Sequence, residues 1–272
     1  MPTLQEFLRS SALPALEAQM LLQHITQLSR VGLISRAYDQ LTEAQLDQLD
    51  ALTERRTNGE PMAYIIGNRE FYGRSFIVTP DVLIPRPDTE TLIDTVLEIY
   101  QNRRNESLKV LDLGTGSGAI AITLALECPA WQIFASDVSA TALNVAQRNA
   151  IQLNAKVQFS ASDWLTAFLN QKFDLIVSNP PYIEVNDVHL NQGDVRFEPK
   201  IALTDGQNGL TNYQYLVDTV PHYLNKNGQL WFEHGYNQAQ AVRDFLRQAG
   251  YNGIRTISDL GGNERVTGGQ IS

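Results

Sequence analysis

The sequence is short of the residues on which several classes of protein depend. It has one cysteine, Cys128, in 272 residues, which excludes an internal disulfide and a multi-cysteine metal site. Its four histidines, His24, His189, His222 and His234, show no ligand spacing, so no metal centre is expected. Positive charge is scarce: 21 Lys+Arg stand against 30 Asp+Glu, a formal net charge of -9. A nucleic-acid binder ordinarily carries a basic stripe that displaces counterions, so no direct nucleic-acid partner is expected. No apolar run approaches the roughly eighteen residues that a membrane span needs, and no membrane partner is expected. The opening MPTLQEFLRS has no basic region ahead of an apolar stretch, so no signal peptide is expected either. The expected setting is reducing and cytoplasmic. What remains is ordinary globular composition, 43% hydrophobic and 19% charged, in a chain long enough for one large domain and a small companion.

Residues 1–70 read as a small helical bundle. Leu16, Met20, Leu21, Ile25 and Leu28 recur at helical spacing, and Thr42 with Gln45 makes a capping-box start for a helix carrying Leu46, Leu49 and Leu52. Residues 71–87 read as a hairpin linker, its arms Phe76-Ile77-Val78 and Val82-Leu83-Ile84 joined by a Thr79-Pro80-Asp81 turn. Over 88–272 the rhythm alternates. Strands are predicted at 110–113, 131–136, 157–160, 173–178 and 228–233, and helices at 91–100, 119–126, 140–152, 213–224 and 238–249. A terminal antiparallel pair is predicted at 254–257 and 265–267. Such alternation makes an α/β fold, a doubly wound and mostly parallel sheet with ligand sites at the carboxyl ends of its strands.

Two strand ends carry chemistry. After the first comes Asp112-Leu113-Gly114-Thr115-Gly116-Ser117-Gly118-Ala119. Glycines let the backbone turn sharply and let a ligand come into contact, while free N–H groups at the helix start face it. The string satisfies G-x-G-x-x-A, the dinucleotide pattern, and equally G-x-G-x-G, the pattern of S-adenosylmethionine enzymes. Asp137 ends the next strand, where an acid can accept ribose hydroxyls of either cofactor. A structural turn accounts for one glycine and hardly for three.

After the fourth strand comes Asn179-Pro180-Pro181-Tyr182. Consecutive prolines fix two φ angles and remove two donors, leaving carbonyls with no competing N–H. The Asn179 side-chain oxygen and the Pro180 carbonyl can grip both hydrogens of a planar NH2 group, on whose plane the Tyr182 ring can stack. Acceptors on both N–H bonds favour localisation of a nitrogen lone pair as its bond to carbon forms. Hydride transfer has no use for such a clamp, so an NAD-dependent dehydrogenase leaves these four residues without a role. An adenine-N6 or other nucleic-acid amino-methyltransferase also wants an NH2 clamp, and it is disfavoured by the acidic balance.

Both motifs resemble those of amino-methyltransferases, and further blocks narrow the likeness. Gly59-Glu60-Pro61-Met62-Ala63-Tyr64-Ile65-Ile66-Gly67, Glu70-Phe71-Tyr72-Gly73 and Ile84-Pro85-Arg86-Pro87-Asp88-Thr89-Glu90 resemble the linker of the release-factor glutamine methyltransferases, the PrmC or HemK family. Phe197-Glu198-Pro199, Glu233-His234-Gly235 and Asn263-Glu264-Arg265-Val266 resemble later blocks, and the likeness covers essentially the whole chain. The resemblance implies the class I S-adenosylmethionine-dependent methyltransferase fold behind an N-terminal bundle that recognises substrate. The implied reaction moves a methyl group from S-adenosyl-L-methionine, leaving S-adenosyl-L-homocysteine, to the side-chain N5 of glutamine in the Gly-Gly-Gln motif of class-1 peptide-chain release factors. By the same resemblance Gly114, Thr115, Gly116, Ser117 and Gly118 hold the methionine portion of the cofactor and Asp137 the ribose. Trp164, after Asp163, packs on the adenine. Asn179 through Tyr182 clamp the glutamine, with Asn179 also close to the cofactor.

Other residues read more plainly. Glu233 ends a strand and reads as a cap of the sheet edge, Arg86 and Glu90 as pocket-shaping residues or an exposed ion pair, and Cys128 as a helix-end core residue. The tail Thr267-Gly268-Gly269-Gln270 departs from the family's usual Leu-Gly-Arg and spells the tripeptide that the enzyme would modify. It reads as a coincidental strand end, with self-methylation of Gln270 as the sharper alternative.

Overall fold

The computed structural model describes residues 1–272, and the chain parts into two compact units, Met1–Asn68 and Arg69–Ser272. The first holds α1 (Leu4–Ser10), α2 (Ala15–Thr26), α3 (Arg30–Ser35), α4 (Glu43–Thr57) and α5 (Met62–Ile66). Capping boxes start two of these helices, Thr3 with Glu6 on α1 and Thr42 with Gln45 on α4, each satisfying N–H groups that a helix start leaves unbonded. The helices close over Leu21, Leu22, Leu33, Leu41 and Leu49. The stripe of α2 differs from the expected one, because its i, i+3, i+4 series starts at Ala18, too small to stand out in sequence. Leu16 lies on the opposite side and is exposed.

The second unit opens on a hairpin of β1 (Asn68–Phe71) and β2 (Arg74–Ile77). Its turn is Tyr72-Gly73, at φ 51° and 71°, the left-handed pair that a two-residue hairpin turn demands. The hairpin thus precedes the predicted one, and Val82-Leu83-Ile84 joins no strand: Val82 and Ile84 are buried as packing residues instead.

There follow α6 (Glu90–Ile99), β3 (Lys109–Leu113), α7 (Ala119–Glu127), β4 (Gln132–Asp137), α8 (Ala140–Leu153), β5 (Val157–Ala161) and β6 (Phe173–Ser178). The chain continues through α9 (Lys200–Leu203), α10 (Thr211–Thr219), β7 (Leu224–Glu233), α11 (Ala239–Gln248), β8 (Asn252–Ser258) and β9 (Glu264–Gln270). The sheet order is β5-β4-β3-β6-β7-β9-β8, with β3 to β7 parallel and β9 inserted antiparallel between β7 and β8. Buried helices cover both faces, one core running through Ile93, Val110 and Ile122 and the other through Leu111, Tyr213 and Val242. Strand β7 begins before the predicted Gly228, because Asn225-Lys226-Asn227-Gly228 looks like a turn but rides over a register shift opposite Phe173 and Leu175.

Strand β7 is interior, so Glu233 caps no edge. Cys128 is the buried residue that ends α7. The tail tripeptide is woven into β9: Gly268 and Gly269 pair with Trp231 and Leu230, and Gln270 pairs with both Gln229 and Asn252. A Cβ at Gly268 would lie 2.3 Å from the Trp231 ring, so glycine is a packing requirement there.

Candidate active site

The parallel register lines up the chemistry. Leu113 stands beside Ser136 of β4 and Ser178 of β6, and Ser178 beside Phe232 of β7. Asp137, Gly114, Asn179 and Glu233, scattered over more than a hundred residues of sequence, therefore follow one another along a single sheet rim, roughly 4.8 Å apart per strand. Strand β3 meets β4 on one side and β6 on the other, which is the switch point where such sheets bind ligands.

The glycine turn divides its labour. Gly114 and Thr115 donate to the Ser136 carbonyl at 2.9 Å each, and Gly116 donates to Asp137 Oδ2 at 2.9 Å. Gly114, Gly116 and Gly118 all have positive φ, and a Cβ at Gly116 would meet only open space. Behind this front, Thr115 and Ser117 are buried. The Thr115 hydroxyl donates to Asp112 Oδ2 at 2.6 Å, and the Ser117 carbonyl accepts from Asn149. A Cβ at Gly118 would stand 2.7 Å from Ile122 and 3.2 Å from Ala146, so this glycine exists to let α7 and α8 approach. Of the five residues predicted to face a ligand, Gly114 and Gly116 line the cavity over the rim, while Thr115, Ser117 and Gly118 do not.

A cavity of about 340 Å³ lies over this rim. Gly114, Gly116, Asp137, Trp164, Asn179 and Pro181 contribute to its wall, as do Asp81, Asp163 and Asp205, and no lysine or arginine does. Trp164 holds a left-handed φ of 49°, a conformation costing about 1–3 kcal/mol in a residue other than glycine. Its carbonyl is tied by the Ser162 hydroxyl at 2.9 Å.

In the proline turn, backbone acceptors are sorted. The Pro181 carbonyl accepts from Asn212 Nδ2 at 3.0 Å, and the Tyr182 carbonyl from Gln238 Nε2 at 2.9 Å. The Asn179 Nδ2 donates to Thr89 Oγ1 at 3.4 Å. That leaves Asn179 Oδ1, the Asn179 main-chain carbonyl and the Pro180 carbonyl with no hydrogen bond. Pro180 is buried and Tyr182 half-buried, and the cavity wall takes Asn179 and Pro181 from the turn rather than these two. Burial raises the Tyr182 hydroxyl well above its ordinary range, with the Glu233 charge adding to the shift.

Two buried carboxyls flank the site. Burial pushes Asp112 up to about 7, opposed by the Thr115 hydroxyl, and its Oδ1 has no partner. Burial likewise pushes Glu233 up to about 7, opposed by hydrogen bonding to Thr89 and Asn179, and its Oε2 has no partner. Arg86 and Glu90 do not pair. Arg86 forms an ion pair with buried Glu198, whose Oε2 also accepts from Ile84 N–H at 3.0 Å, while Glu90 accepts from Tyr72 N–H. The sequence reading missed Gln238, Asn212 and Gly209 altogether. A Cβ at Gly209 would fall 2.3 Å from the Tyr182 carbonyl. The signal that was available is the Gly235-to-Gln238 spacing, an i, i+3 turn closed by Gln238 Oε1 at 2.9 Å.

An open sheet with an adenosine-type glycine turn, a rim aspartate and an acceptor pair defines a class I methyltransferase fold. Solved structures agree on that fold: a Pyrococcus furiosus methyltransferase (TM-score 0.55, 16% identity, covering 81% of this chain and 98% of that one) and a Thermus thermophilus 16S rRNA N2 G1207 methyltransferase (TM-score 0.57, 18% identity, 75% and 50%). Residues 89–196 match the Methyltransferase small domain family and residues 3–67 the PrmC N-terminal domain family.

The particular family follows from full-length relatives. The chain is similar to release factor glutamine methyltransferases of Bordetella pertussis (48% identity, 100% of both chains), Neisseria gonorrhoeae (47%, 98% of this chain and 97% of that one) and Escherichia coli (44%, 97% and 94%). It belongs to the release factor glutamine methyltransferase family. No helix is long and apolar enough to cross a membrane.

Proposed function

We propose that this methyltransferase uses S-adenosyl-L-methionine to methylate the side-chain N5 of glutamine in the Gly-Gly-Gln motif of class-1 peptide-chain release factors, in the cytoplasm. The observation that carries the reading is the sorted proline turn: Asn179, in the cavity wall, keeps Oδ1 unbonded, and the buried Pro180 next to it keeps an unbonded carbonyl, while their neighbours are tied off.

The residues present fit the cofactor. Gly116 opens onto space that a side chain would fill. Asp137 spends one lone pair per oxygen on Gly116 and Ser139 N–H groups and keeps the others for ribose hydroxyls. The cavity's aspartates, with the orphaned Asp112 oxygen beneath the turn, suit a cation. Trp164 offers a flat face to the base, and Gly114 and Gly116 line the methionine end. When bound, the cofactor supplies a methyl group activated by the positive charge on its sulfur.

The chain itself performs positioning. Asn179 Oδ1 and the Pro180 carbonyl take the two amide hydrogens and aim the nitrogen lone pair into the cavity, Pro181 stiffens the turn, and Tyr182 packs against the amide plane. Holding reactants in line can supply about 7–11 kcal/mol of the barrier. No side chain needs to remove a proton before attack, because the amide nitrogen is neutral and its extra proton leaves afterwards to water. The helical unit, residues 1–68, grips the body of the release factor, the second unit, residues 69–272, carries the catalysis, and nucleic acid plays no direct part. Mass spectrometry of a purified release factor incubated with the protein and S-adenosyl-L-methionine tests the reading. One added methyl on the Gly-Gly-Gln glutamine is expected, and methylation of DNA or ribosomal RNA in its place would overturn it.

A further inference from the structure

We propose that Glu233 is a positioning residue for this reaction, its carboxylate holding the Asn179 amide with NH2 turned into the protein and Oδ1 turned toward the cavity. The inference rests on the methyl-transfer reading above and assigns a part to a residue which that reading leaves idle.

An asparagine amide is nearly symmetric in shape and opposite in chemistry at its two ends. A clamp for an incoming NH2 group works only with oxygen outward; rotated by half a turn, it would set donor against donor. Something must therefore accept from Nδ2. Thr89 Oγ1 is there at 3.4 Å, but a hydroxyl both donates and accepts and so tolerates either orientation. A carboxylate only accepts.

Glu233 is placed for this by the sheet. Ser178 of β6 pairs with Phe232 of β7, so Asn179 and Glu233 leave adjacent strand ends side by side. The side chain is buried and Oε2 has no partner, and Thr89 and Asn179 stand close enough to the carboxyl to favour its charged form. The Tyr213 hydroxyl donates to the Glu233 main-chain carbonyl, not to its side chain. A buried carboxylate with an unfilled oxygen is costly, and it stands directly behind the clamp.

Protonation would undo the selection, since a carboxylic acid can donate to Oδ1. The groups facing Glu233 are Arg265 from β9, Asp88 and Thr89 from the segment before α6, Tyr182 from the proline turn and Tyr213 from α10. Arg265 favours the charged form, and Asp88 with burial opposes it, leaving the group poised at about 7. Asp112 is poised at about 7 as well, under the glycine turn, so the wild-type profile alone does not assign the group.

The experiment is release-factor methylation from pH 6 to 9 by the full-length wild type, Glu233→Gln and Glu233→Leu, with S-adenosyl-L-homocysteine affinity measured in parallel. In Glu233→Gln the side chain offers a donor as well as an acceptor to Asn179 at every pH, so it no longer selects one amide orientation. Its kcat should stay below the wild-type high-pH plateau and lose the rise that the wild type shows around neutrality. In Glu233→Leu the acceptor is gone, and kcat should fall about tenfold to a hundredfold, as for other supporting partners of a reactive group, with KM and homocysteine-product affinity little changed. Wild-type kcat in a Glu233→Leu enzyme that binds the product normally, or a Glu233→Gln profile that keeps the wild-type limb, would overturn the inference. Should Glu233→Leu fail to fold, the Glu233→Gln profile decides. A wild type that leaves release factor unmodified overturns the proposed function instead.

Discussion

Gln238 donates to the main-chain carbonyl of Tyr182 at 2.9 Å and to that of Gly209 at 3.1 Å, so one side chain after β7 staples the proline turn to the loop before α10. Gln238→Leu keeps the bulk and strips both bonds. Stranding two part-buried carbonyls should cost about 1–3 kcal/mol each, visible in thermal unfolding. The loosened turn should lower kcat about tenfold to a hundredfold while cofactor-product affinity holds.

Asn179→Ala removes one of the clamp's two acceptors. By analogy with removal of a single preorganised hydrogen-bonding group, kcat should drop roughly 10²–10³-fold. Isothermal titration should show S-adenosyl-L-homocysteine binding largely intact. Near-normal turnover would rule out the clamp.

The two inner glycines should separate stability from binding. Gly118→Ala drives a methyl toward Ile122 and Ala146 in a left-handed backbone and should destabilise by about 1–3 kcal/mol, with product affinity unchanged in the folded protein. Gly116→Ala carries the left-handed backbone penalty of about 1 kcal/mol at φ 55° but meets no neighbour, so it should destabilise less than Gly118→Ala while its methyl weakens product binding.

Asp112 gives a signed pH effect. Its ordinary value is 3.8, and in the fold it sits at about 7. Between those values the native state keeps a proton that the unfolded chain has released, so this group's stabilisation is complete below the lower value and lost as pH rises through the upper one. Asp112→Asn cannot titrate. The stability difference between wild type and variant, from denaturant curves, should shift in the variant's favour from pH 5 to pH 8 and then level off.

Removal of residues 1–67 leaves the second unit, which has its own sheet and cores. If the helical unit grips the release factor, KM for that protein should rise while product affinity stays near the full-length value. Equal loss of both would count against the assignment.

The sheet was legible because its strands hold short apolar stretches, such as Leu175-Ile176-Val177, between helical periods, and β6 falls on the predicted residues. The hairpin was misplaced because its turn depends on a tyrosine in left-handed backbone, which no apolar pattern announces. At the site, the glycine turn and Asn179 stood out as motifs, and both contribute to the cavity wall. A glycine that lines a cavity, like Gly114, and one that lets a neighbouring helix approach, like Gly118, look the same in one dimension. Glu233, Gln238 and Asn212 stayed hidden because their meaning lies in strand register and in which carbonyl each one faces.

Gly268, packed against the Trp231 ring, and Gly269, packed against Ile254 and Tyr251, fasten the tail tripeptide into the sheet. Paired on both flanks of the ladder, Gln270 lacks the reach of a loop-borne glutamine, so the protein incubated alone with the methyl donor should keep its intact mass.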